Sequence, residues 1–446
     1  MSPTPDPTNG RDALDTLAAE LIEDGFAVDQ GVLAIGGIGA DRLAEEFGTP
    51  LYVYDAGLLR RNLRRLRQAV GPSVDIHYSV KANPNPEIVA VFVAEGAGLE
   101  VASAAEYIRA RRAGADAERI LFAGPGKGRD ELDFVIGSGI GEIHLETDAE
   151  LRTVAAIGER RGVRVAVGLR INPTAAAQGG AMRMGGKPAQ FGFDEERLET
   201  VIADVRRHAG LDFRGVHLFA GTQILDPEVL CAQWRHGVEL AARIEREHGL
   251  AVATLDLGGG LGVPYFKGER PLDLDRLQEL AVPLFAEAAE RLPDTRLVLE
   301  PGRCLTASAG VYLARVRAFK ESRGGHYAVT DGGMHHHLAA SGNLGQVIKK
   351  DYPIVLANRL DAAADVTASV VGPLCTPLDT IGRKVAMPAP EDGDLIAVLQ
   401  SGAYGLTASP TGFLSQPMPA EVLVDGGRAS IIRPRGTFEQ PITALP

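Results

Sequence analysis

From about Leu51 onward, short runs of β-prone apolar residues alternate with longer segments in which apolar residues recur at helical spacing. Strand followed by helix, repeated about eight times over roughly 250 residues, is typical of a (β/α)8 TIM-type barrel. An open doubly wound sheet is the alternative, but it needs fewer repeats and a clear switch point. The β-prone runs are LYVYD (51–55), VDIHYSV (74–80), GLEVAS (98–103), ILFAG (120–124), EIHLE (142–146), VRVAVGLRIN (163–172), FRGVHLFAG (213–221), TLDLGGG (254–260) and RLVLEPG (296–302).

After residue 303 the pattern changes to short β-branched runs bounded by Gly and Pro, which predict an all-β domain. The run VLAIGGI (32–38) predicts a further strand that joins this domain. The first residues are rich in Pro, Thr and Asp, a composition typical of disorder. We therefore expect a disordered tail at 1–10, an N-terminal segment at 11–46 that packs with the β-domain, the barrel at 47–305 and the C-terminal β-domain at 306–446.

The charge balance narrows the possible partners. The 446 residues include 46 Lys and Arg against 58 Asp and Glu, a formal net charge of −12. Nucleic acids and anionic membranes attract basic surfaces, so we expect neither as a partner. No apolar run approaches the roughly 20 residues that a membrane-spanning helix needs.

Cysteine usage indicates a reducing, cytoplasmic setting. Cys231, Cys304 and Cys375 lie far apart and form neither a disulfide framework nor a zinc-binding CxxC pattern. The N-terminal residues contain neither a basic n-region nor an apolar h-region, so the sequence predicts no signal peptide.

Active-site residues of TIM-type barrels lie at the carboxyl ends of the strands. Lys81 directly follows VDIHYSV, and a desolvated lysine at such a place can form a Schiff base. A surface lysine on a loop is the alternative, although its flanks are apolar and turn-forming. The other residues at predicted strand ends are Arg170, Asn172, His217, Phe219, Thr222, Gly258, Gly259, Gly260, Glu300 and Arg303.

The three glycines after TLDL lack the GxGxxG spacing of a dinucleotide site. Successive glycine amides suit a phosphate, and a tight turn with positive φ is the alternative. EPGR places Glu300 and Arg303 at one strand end, where a structural ion pair explains them equally well. Many barrels bind phosphate at their last strands, so the glycines and Arg303 are more informative together.

Three consecutive histidines, His335, His336 and His337, raise the question of a metal site. Consecutive side chains point to different sides, and no carboxylate or cysteine stands beside them at ligand spacing. We therefore expect no metal, and a substrate or interface role for one of the three.

The motifs YSVKANPNP, GVHLFAGTQ, LDLGGG, EPGR, DGGM, GPLCTPLD and GAYG follow one another along the chain. In this combination they resemble the fold-type III pyridoxal-phosphate decarboxylases, the group that acts on diaminopimelate, ornithine and arginine. The resemblance covers nearly the whole chain. It implies an alanine racemase-like architecture, with a barrel that binds pyridoxal 5'-phosphate, a β-sandwich or β-barrel domain, and a homodimer with shared active sites.

The resemblance also implies residue roles. Lys81 carries the cofactor as a Schiff base, Glu300 contacts the pyridine nitrogen, and Cys375, contributed by the partner subunit, protonates Cα after a quinonoid forms. The implied cofactor-binding set is Lys81, His217, Phe219, Thr222, Gly258, Gly259, Gly260, Glu300, Gly302, Arg303 and Tyr404. The implied substrate-contact set is Arg303, Thr376, His337, Asn343 and Asp379.

Physical chemistry supports two of these roles. An acid beside the pyridine nitrogen keeps the ring protonated, so the ring accepts the electrons left at Cα when carbon dioxide departs. In the racemase branch an arginine takes this place, so Glu300 favours decarboxylation over racemisation. A thiol such as Cys375 can supply the proton, and a buried small hydrophobe is the alternative for this cysteine.

Departures from the family pattern bear on the substrate. Decarboxylases of diamino acids have an acidic residue after the catalytic cysteine, where this chain has Thr376, and a neutral hydroxyl does not balance a buried cation. The stretch after DGGM reads HHHLAASGNLGQ, without the arginine and tyrosine that hold a distal carboxylate in diaminopimelate enzymes. Phe219 stands where many relatives stack a histidine on the ring, and an aromatic ring can still stack there.

These departures resemble a subgroup from secondary metabolism whose members decarboxylate an acidic amino acid held as a thioester on an acyl carrier protein. The leading hypothesis is therefore decarboxylation of a carrier-bound glutamyl or (methyl)aspartyl group. A free amino acid is the alternative, and an inactive partner-binding homologue is a remote one, against which Lys81 and Cys375 count. An acidic carrier requires a basic patch, for which ARRAGADAER, RRNLRRLR and VIKKD are candidates.

Overall fold

The computed structural model describes most of the chain, and the tail expected at 1–10 lies outside the described residues. The chain divides into two compact units. The barrel unit comprises 60–263 and 270–305, and the β unit comprises the described residues up to 59, 264–269 and the described residues from 306 onward. The described ranges are 15–174, 182–183, 189–219, 221–346 and 348–444.

The α-helices are α1 Thr16–Gly25, α2 Ala40–Phe47, α3 Ala56–Val70, α4 Pro86–Ala94, α5 Ala104–Arg112, α6 Arg129–Gly137, α7 Asp148–Arg161, α8 Leu198–Arg207, α9 Pro227–His248, α10 Leu274–Arg291 and α11 Arg303–Thr306. The strands are β1 Ala27–Asp29, β2 Val32–Ile35, β3 Ile38–Gly39, β4 Leu51–Asp55, β5 Val74–Ser79, β6 Gly98–Val101, β7 Ile120–Phe122, β8 Glu142–Leu145, β9 Val165–Asn172, β10 Met182–Arg183, β11 Phe193–Asp194, β12 Leu211–Leu218, β13 Gly221–Thr222, β14 Thr254–Asp256, β15 Arg296–Leu299, β16 Gly310–Ser322, β17 Gly325–Thr330, β18 Ile354–Leu356, β19 Val366–Val371, β20 Thr380–Met387, β21 Leu395–Val398, β22 Ala420–Asp425 and β23 Arg428–Arg433.

Eight parallel strands close the barrel in the order β5-β6-β7-β8-β9-β12-β14-β15, and β15 pairs back with β5. Their residues are almost all buried, as expected for parallel strands with one face in the barrel and the other against helices. The predicted (β/α)8 barrel is therefore confirmed. Because the strands run in one direction, their carboxyl ends meet at one rim.

Local sequence signals fix where the barrel helices begin and end. Thr147 accepts a hydrogen bond from the Glu150 amide at the start of α7, which ends at Gly162 with φ of 68°. Asp226 caps α9, Pro227 occupies its first position, and Gly249 ends it in the left-handed conformation. Side-chain caps satisfy free amide groups at helix starts, and glycine adopts positive φ at helix ends without steric cost.

The β unit is built on a nine-stranded sheet in which the long strand β16 pairs with β4, β17 and β21. A separate three-stranded sheet contains β1, β2 and β3. Apolar residues of the N-terminal segment, including Leu33, Ile35 and Leu43, share one core with Val311 and Leu313 of β16. None of the helices in the described part of the chain is long and apolar enough to cross a membrane.

One sequence expectation needs correction here. LYVYD (51–55) forms β4, which pairs antiparallel with β16 and parallel with β22, so the barrel unit begins at residue 60 and not at 47. Periodicity could not reveal this, because a short fully buried strand reads the same in either setting. The predicted strand at 32–38 forms β2 and the start of β3 in the three-stranded sheet, and it belongs to the β unit as expected.

Candidate active site

Lys81 lies at the carboxyl rim of the barrel, in a single 3-10 turn that directly follows β5. Its Nζ atom donates to Oε2 of Glu100 on β6 at 2.6 Å, and the Ser79 hydroxyl donates to the same oxygen. Glu100 is buried, whereas the Lys81 side chain is 44% exposed. The lysine is therefore anchored by a buried carboxylate and open to solvent beyond it.

Sequence reasoning missed Glu100. The signal was present in the run GLEVAS, where a single acidic residue interrupts a run of small and apolar residues in a buried strand. A carboxylate inside a parallel barrel strand needs a partner, because burying an unpaired charge is costly. Lys81 at the end of the neighbouring strand is that partner.

Four buried titratable side chains meet inside the barrel, and we call them the barrel quartet: His144 on β8, His217 on β12, Asp256 on β14 and Glu300 just after β15. One ligand-type atom from each lies within 4.8 Å of the others. His217 Nε2 is 3.3 Å from Glu300 Oε2, and His144 Nδ1 is 4.0 Å from Glu300 Oε1. The two imidazole rings are 4.5 Å apart.

Burial and mutual charge interactions shift the pKa values of the quartet members in opposite directions. Burial, followed by the negative charge of Glu300, raises the pKa of Asp256 well above its usual range. Burial opposes ionisation of Glu300 too, but the nearby imidazole rings outweigh it and hold the pKa of Glu300 well below its usual range. Burial lowers the pKa of His217 to about 4. Of the two carboxyl groups, Asp256 therefore holds its proton more tightly and Glu300 ionises more readily, because two carboxylates so close do not both ionise easily.

Two carboxylate oxygens of the quartet have no hydrogen-bond partner among the described residues: Oδ2 of Asp256 and Oε1 of Glu300. Both atoms are fully buried. Buried polar atoms almost always have partners, so an oxygen left without one marks a place where another group belongs. Imidazoles and carboxylates also bind divalent metal ions, but the site around them, described next, fits a different ligand better.

The glycine turn after β14 brings backbone segments too close for any side chain. A Cβ atom on Gly259 would lie 2.3 Å from the Glu300 carbonyl oxygen, and one on Gly260 would lie 2.6 Å from that of Gly221. Gly258 and Gly260 also have φ of 67° and 98°. The tight-turn explanation is therefore correct, and it leaves room for the phosphate prediction, since such turns expose amide groups.

The remaining barrel residues of the predicted cofactor set stand around this turn. A Cβ on Gly258 would lie 3.0 Å from the Phe219 ring, and Thr222 forms the short strand β13 nearby in sequence. Gly302 packs against Ser79 and Ala82, the neighbours of Lys81, so closely that a Cβ there would lie 2.9 Å from the Ala82 side chain. Arg303 begins α11 and is half-buried.

A second ion pair lies at the rim, and the sequence predicted its arginine but not its carboxylate. Arg170, a predicted strand-end residue, donates to Glu146 Oε1 at 2.9 Å, and its guanidinium lies 5.9 Å from the Phe219 ring centre. Glu146 also accepts from the amides of Gly124 and Gly192. The arginine therefore links Phe219 to a fixed carboxylate.

In the β unit, Asp379 ties two motif loops together and does not point outward. Its carboxylate accepts hydrogen bonds from the Met334 amide at 2.6 Å and the Leu374 amide at 2.9 Å, and the residue is 2% exposed. The loop between Leu374 and Asp379 presents Cys375 at the surface and Thr376 half-exposed. Asp379 thus has a structural task within this chain, and its substrate contact stays a prediction.

The three histidines are interior residues of the β unit. His337 Nε2 lies 3.0 Å from the Ser401 hydroxyl, its Nδ1 accepts from the Ala340 amide, and the ring is fully buried. His336 contacts the Tyr312 hydroxyl and the Pro417 carbonyl. Both ring nitrogens of His337 are thus engaged inside the unit, and its substrate role stays a prediction.

Two other predicted residues of the β unit have different surroundings. Asn343 donates to the Leu378 carbonyl at 3.1 Å and accepts from Lys349 Nζ at 2.6 Å, so it joins neighbouring loops. Tyr404 is half-exposed and has φ of 51°, a conformation that is uncommon for residues other than glycine. Its phosphate role stays a prediction.

The chain was compared with known proteins. Residues 56–307 match the family model described as "Pyridoxal-dependent decarboxylase, pyridoxal binding domain". The L-glutamyl-[BtrI acyl-carrier protein] decarboxylase of Niallia circulans is 39% identical over 89% of this chain and 94% of its own length. A diaminopimelate decarboxylase of Zymomonas mobilis is 33% identical, with coverage of 93% and 96%.

Among solved structures, the diaminopimelate decarboxylase of M. jannaschii in co-complex with L-lysine superposes with a TM-score of 0.85 and 26% identity, covering 93% of this chain and 96% of that one. The family match, the relatives and the fold agree with the lysine and the carboxylate found at the barrel rim. The chain belongs to the pyridoxal-dependent decarboxylases, and pyridoxal 5'-phosphate is its cofactor.

Proposed function

We propose that this enzyme removes the α-carboxyl group of an acidic amino acid, glutamyl or (methyl)aspartyl, that is held as a thioester on an acyl carrier protein. The observation that carries the proposal is the loop at 372–379. Its one carboxylate, Asp379, is turned inward and bound by two backbone amides, and its exposed part offers Cys375 and the neutral Thr376. This loop has no free anion for the distal ammonium of a diamino acid.

The comparisons support the same choice of substrate. The relative from Niallia circulans, whose name specifies a glutamyl group on an acyl-carrier protein, is 39% identical, and the diaminopimelate decarboxylase of Zymomonas mobilis is 33% identical. A thioester has no charge at its far end, so it needs no ionic partner there. Thr376 suits such a neutral group.

The barrel residues fit pyridoxal phosphate. A primary amine, Lys81, lies at the strand rim, and the quartet contains a buried carboxylate oxygen, Glu300 Oε1, that has no hydrogen-bond partner among the described residues. An ionised, buried carboxylate is what a pyridinium N–H requires as a partner. When bound, pyridoxal phosphate supplies the ring that accepts the electrons released at Cα on loss of carbon dioxide.

Lys81 would hold this cofactor covalently through Nζ. An ammonium is not a nucleophile, so Nζ has to lose a proton first. Glu100 Oε2, at 2.6 Å, is placed to take that proton and to keep the amine oriented toward the rim. The glycine turn and Arg303 would hold the phosphate, and Phe219, fixed by Arg170, would face the ring.

Glu300 would keep a proton on the pyridine nitrogen. The protonated Asp256 and the neutral His217 leave Glu300 as the one ionised carboxylate of the quartet. The charge that stabilises the ring is thereby placed on a single residue. We assign the proton that Cα receives to the thiol of Cys375, which is exposed in this chain and would reach the site from the partner subunit of a homodimer.

The test uses mass spectrometry of the glutamyl-loaded BtrI carrier, free glutamate and free diaminopimelate, each incubated with the holoenzyme. We expect the carrier-bound glutamyl group to lose one carbon dioxide while both free amino acids stay intact. Turnover of free diaminopimelate with no change in the loaded carrier would overturn the proposal. Lys81→Ala is the control, and any carbon dioxide lost in its presence measures the reaction that occurs without catalysis.

A further inference from the structure

Three basic segments are candidates for holding an acidic carrier, and the structure separates them. In α3, Arg64 pairs with Glu95 at 2.8 Å and Arg67 donates to the Glu95 carbonyl, so two of its arginines serve the fold. Lys350, from the segment VIKKD, lines a cavity of the β unit. The third segment, ARRAGADAER, begins in the last turn of α5.

Arg111 and Arg112 border a shallow depression with exposed Ile108 and Phe134. These residues lie at the carboxyl ends of α5 and α6. In a (β/α)8 barrel the helices run opposite to the strands, so helix carboxyl ends lie at the rim remote from the catalytic one. A carrier docked there would deliver its thioester to the end of the barrel that lacks Lys81.

We infer that the cavity of the β unit lined by Lys267, Lys350 and Lys384 is the docking site for the acidic face of the carrier protein. This inference rests on the proposed function, because it assumes a carrier-bound substrate. The cavity has a volume of about 540 Å³ and belongs entirely to the β unit. The three lysines define what we call the lysine rim.

The charge of the cavity is opposite to that of the chain. Its lining has five cationic and two anionic side chains, a surplus of three positive charges, although the whole chain carries −12. The chain has only eight lysines, and three of them line this one cavity. A local positive region on an acidic protein attracts an acidic partner and orients it.

The two arginines of the cavity are not available to a partner, whereas the lysines are. Arg383 pairs with Asp351 at 2.6 Å, and Arg359 pairs with Asp394 at 3.0 Å. Their positive charges are therefore already matched within the unit.

The lysine rim supplies the cationic side chains of the cavity that can contact a partner. Lys350 and Lys384 are exposed and make no ion pair with a described residue, and Lys267 is 80% exposed at 3.8 Å from Asp15. Lys350 Nζ lies 5.3 Å from the centre of the Phe266 ring, which limits its positions. Exposed, separated lysines around an open cavity suit a broad acidic surface, because a small anion needs convergent donors.

The experiment compares two substrates of the holoenzyme: glutamyl-loaded BtrI carrier and the glutamyl thioester of pantetheine, which lacks the protein. The variant Lys350→Glu/Lys384→Glu reverses two charges of the rim. We expect its KM for the loaded carrier to rise about tenfold or more, with kcat and the KM for the pantetheine thioester within about twofold of wild type. The carrier KM of the wild type should also rise with salt.

The matched control is Lys320→Glu/Arg428→Glu, which makes the same change of net charge at exposed positions of the β unit outside the cavity. It should leave the carrier KM near the wild-type value. Size-exclusion chromatography and thermal melting establish that each variant keeps the assembly and fold of the wild type.

Two results would overturn the inference: an unchanged carrier KM in the cavity variant, or an equal loss for both thioesters. Failure of the wild type on both thioesters would instead refute the proposed function. In that case anisotropy of fluorescently labelled carrier still decides the docking question, since equal binding to wild type and cavity variant would refute the docking site.

Discussion

Both units bury titratable side chains completely, but they do so in different ways. In the barrel quartet, two carboxyl groups and two imidazoles face one another, and Asp256 Oδ2 and Glu300 Oε1 have no hydrogen-bond partner among the described residues. In the β unit, His336 and His337 contact hydroxyl, carbonyl and amide groups of their own unit, whereas the ring nitrogens of His335 have no hydrogen-bond partner among the described residues. Burial is the main cause that lowers the pKa of both His336 and His337, to about 3 for His337.

This difference in hydrogen bonding distinguishes a functional site in the barrel unit from core packing in the β unit. Groups that share protons and leave atoms unpartnered are held in an arrangement that costs stability, which folded proteins retain where a ligand completes it. Neutral histidines that are hydrogen-bonded to neutral partners, such as His336 and His337, do not need a ligand to complete their contacts. The same residue type therefore has a chemical task in one unit and a packing task in the other, and the predictions below test that division.

The largest effect is expected at Lys81. Lys81→Ala should abolish decarboxylation, with a loss on the order of 10⁵-fold, and remove the visible absorbance of bound cofactor. Its thermal melting temperature without cofactor should fall as well, because the buried Glu100 carboxylate loses its cationic partner. Lys81→Arg, which keeps the charge beside Glu100, is the control, and a rate near wild type in either variant would contradict the assignment.

Glu300 and Asp256 form the next test, since both are buried carboxyl groups but only Glu300 is expected to be ionised. Glu300→Gln should lower kcat by about 10²- to 10³-fold and shift the absorbance of bound cofactor. Asp256→Asn replaces a protonated carboxyl by a neutral group of the same shape, so kcat should stay within about threefold of wild type.

Infrared difference spectra of the enzyme without cofactor provide a readout that does not depend on activity. The carbonyl stretch of the protonated Asp256 carboxyl should be present in wild type and lost in Asp256→Asn. A large activity loss in Asp256→Asn together with an unchanged spectrum would show that Asp256 is ionised and reverse the two roles.

Much of the fold was predictable because it rests on repetition. Eight β-prone runs match the eight barrel strands, and Lys81, Glu300 and the glycine turn could be located from strand ends alone. The pairing of β4 with β16 was not predictable, since a five-residue buried strand carries no mark of its partner. Long-range pairing is decided by packing over hundreds of residues and not by local pattern.

The site was predictable to the extent that its residues stand at strand ends. Glu100, His144 and Asp256 lie within strands, so a rule about rims did not select them. Motif position predicted substrate contact for His337 and Asp379 but did not reveal that both side chains make hydrogen bonds within the β unit. Direction of a side chain in a loop depends on tertiary hydrogen bonds, which sequence spacing does not encode.

The β unit should respond to substitution through stability. His337→Ala removes a buried ring and leaves the Ser401 hydroxyl and the Ala340 amide without their partner, which should cost about 2–4 kcal/mol of the free energy of unfolding. Cofactor absorbance and kcat of the folded fraction should remain near wild type. Loss of cofactor binding at full stability would place His337 in the site after all.

The smallest effect expected is a pH dependence of stability that originates in these histidines. The pKa of His337 is about 3 in the folded chain because of burial, and an exposed histidine in the unfolded chain titrates near 6.5. As pH falls below about 6.5, the unfolded chain binds a proton that the folded chain does not, so the free energy of unfolding falls, by at most about 1.4 kcal/mol per pH unit for each histidine. Above that pH the contribution is constant. Chemical denaturation between pH 7 and pH 5 measures the slope, and His337→Gln, which cannot titrate, should reduce it; an equal slope in both proteins would mean that His337 does not contribute and that acid sensitivity arises from other groups.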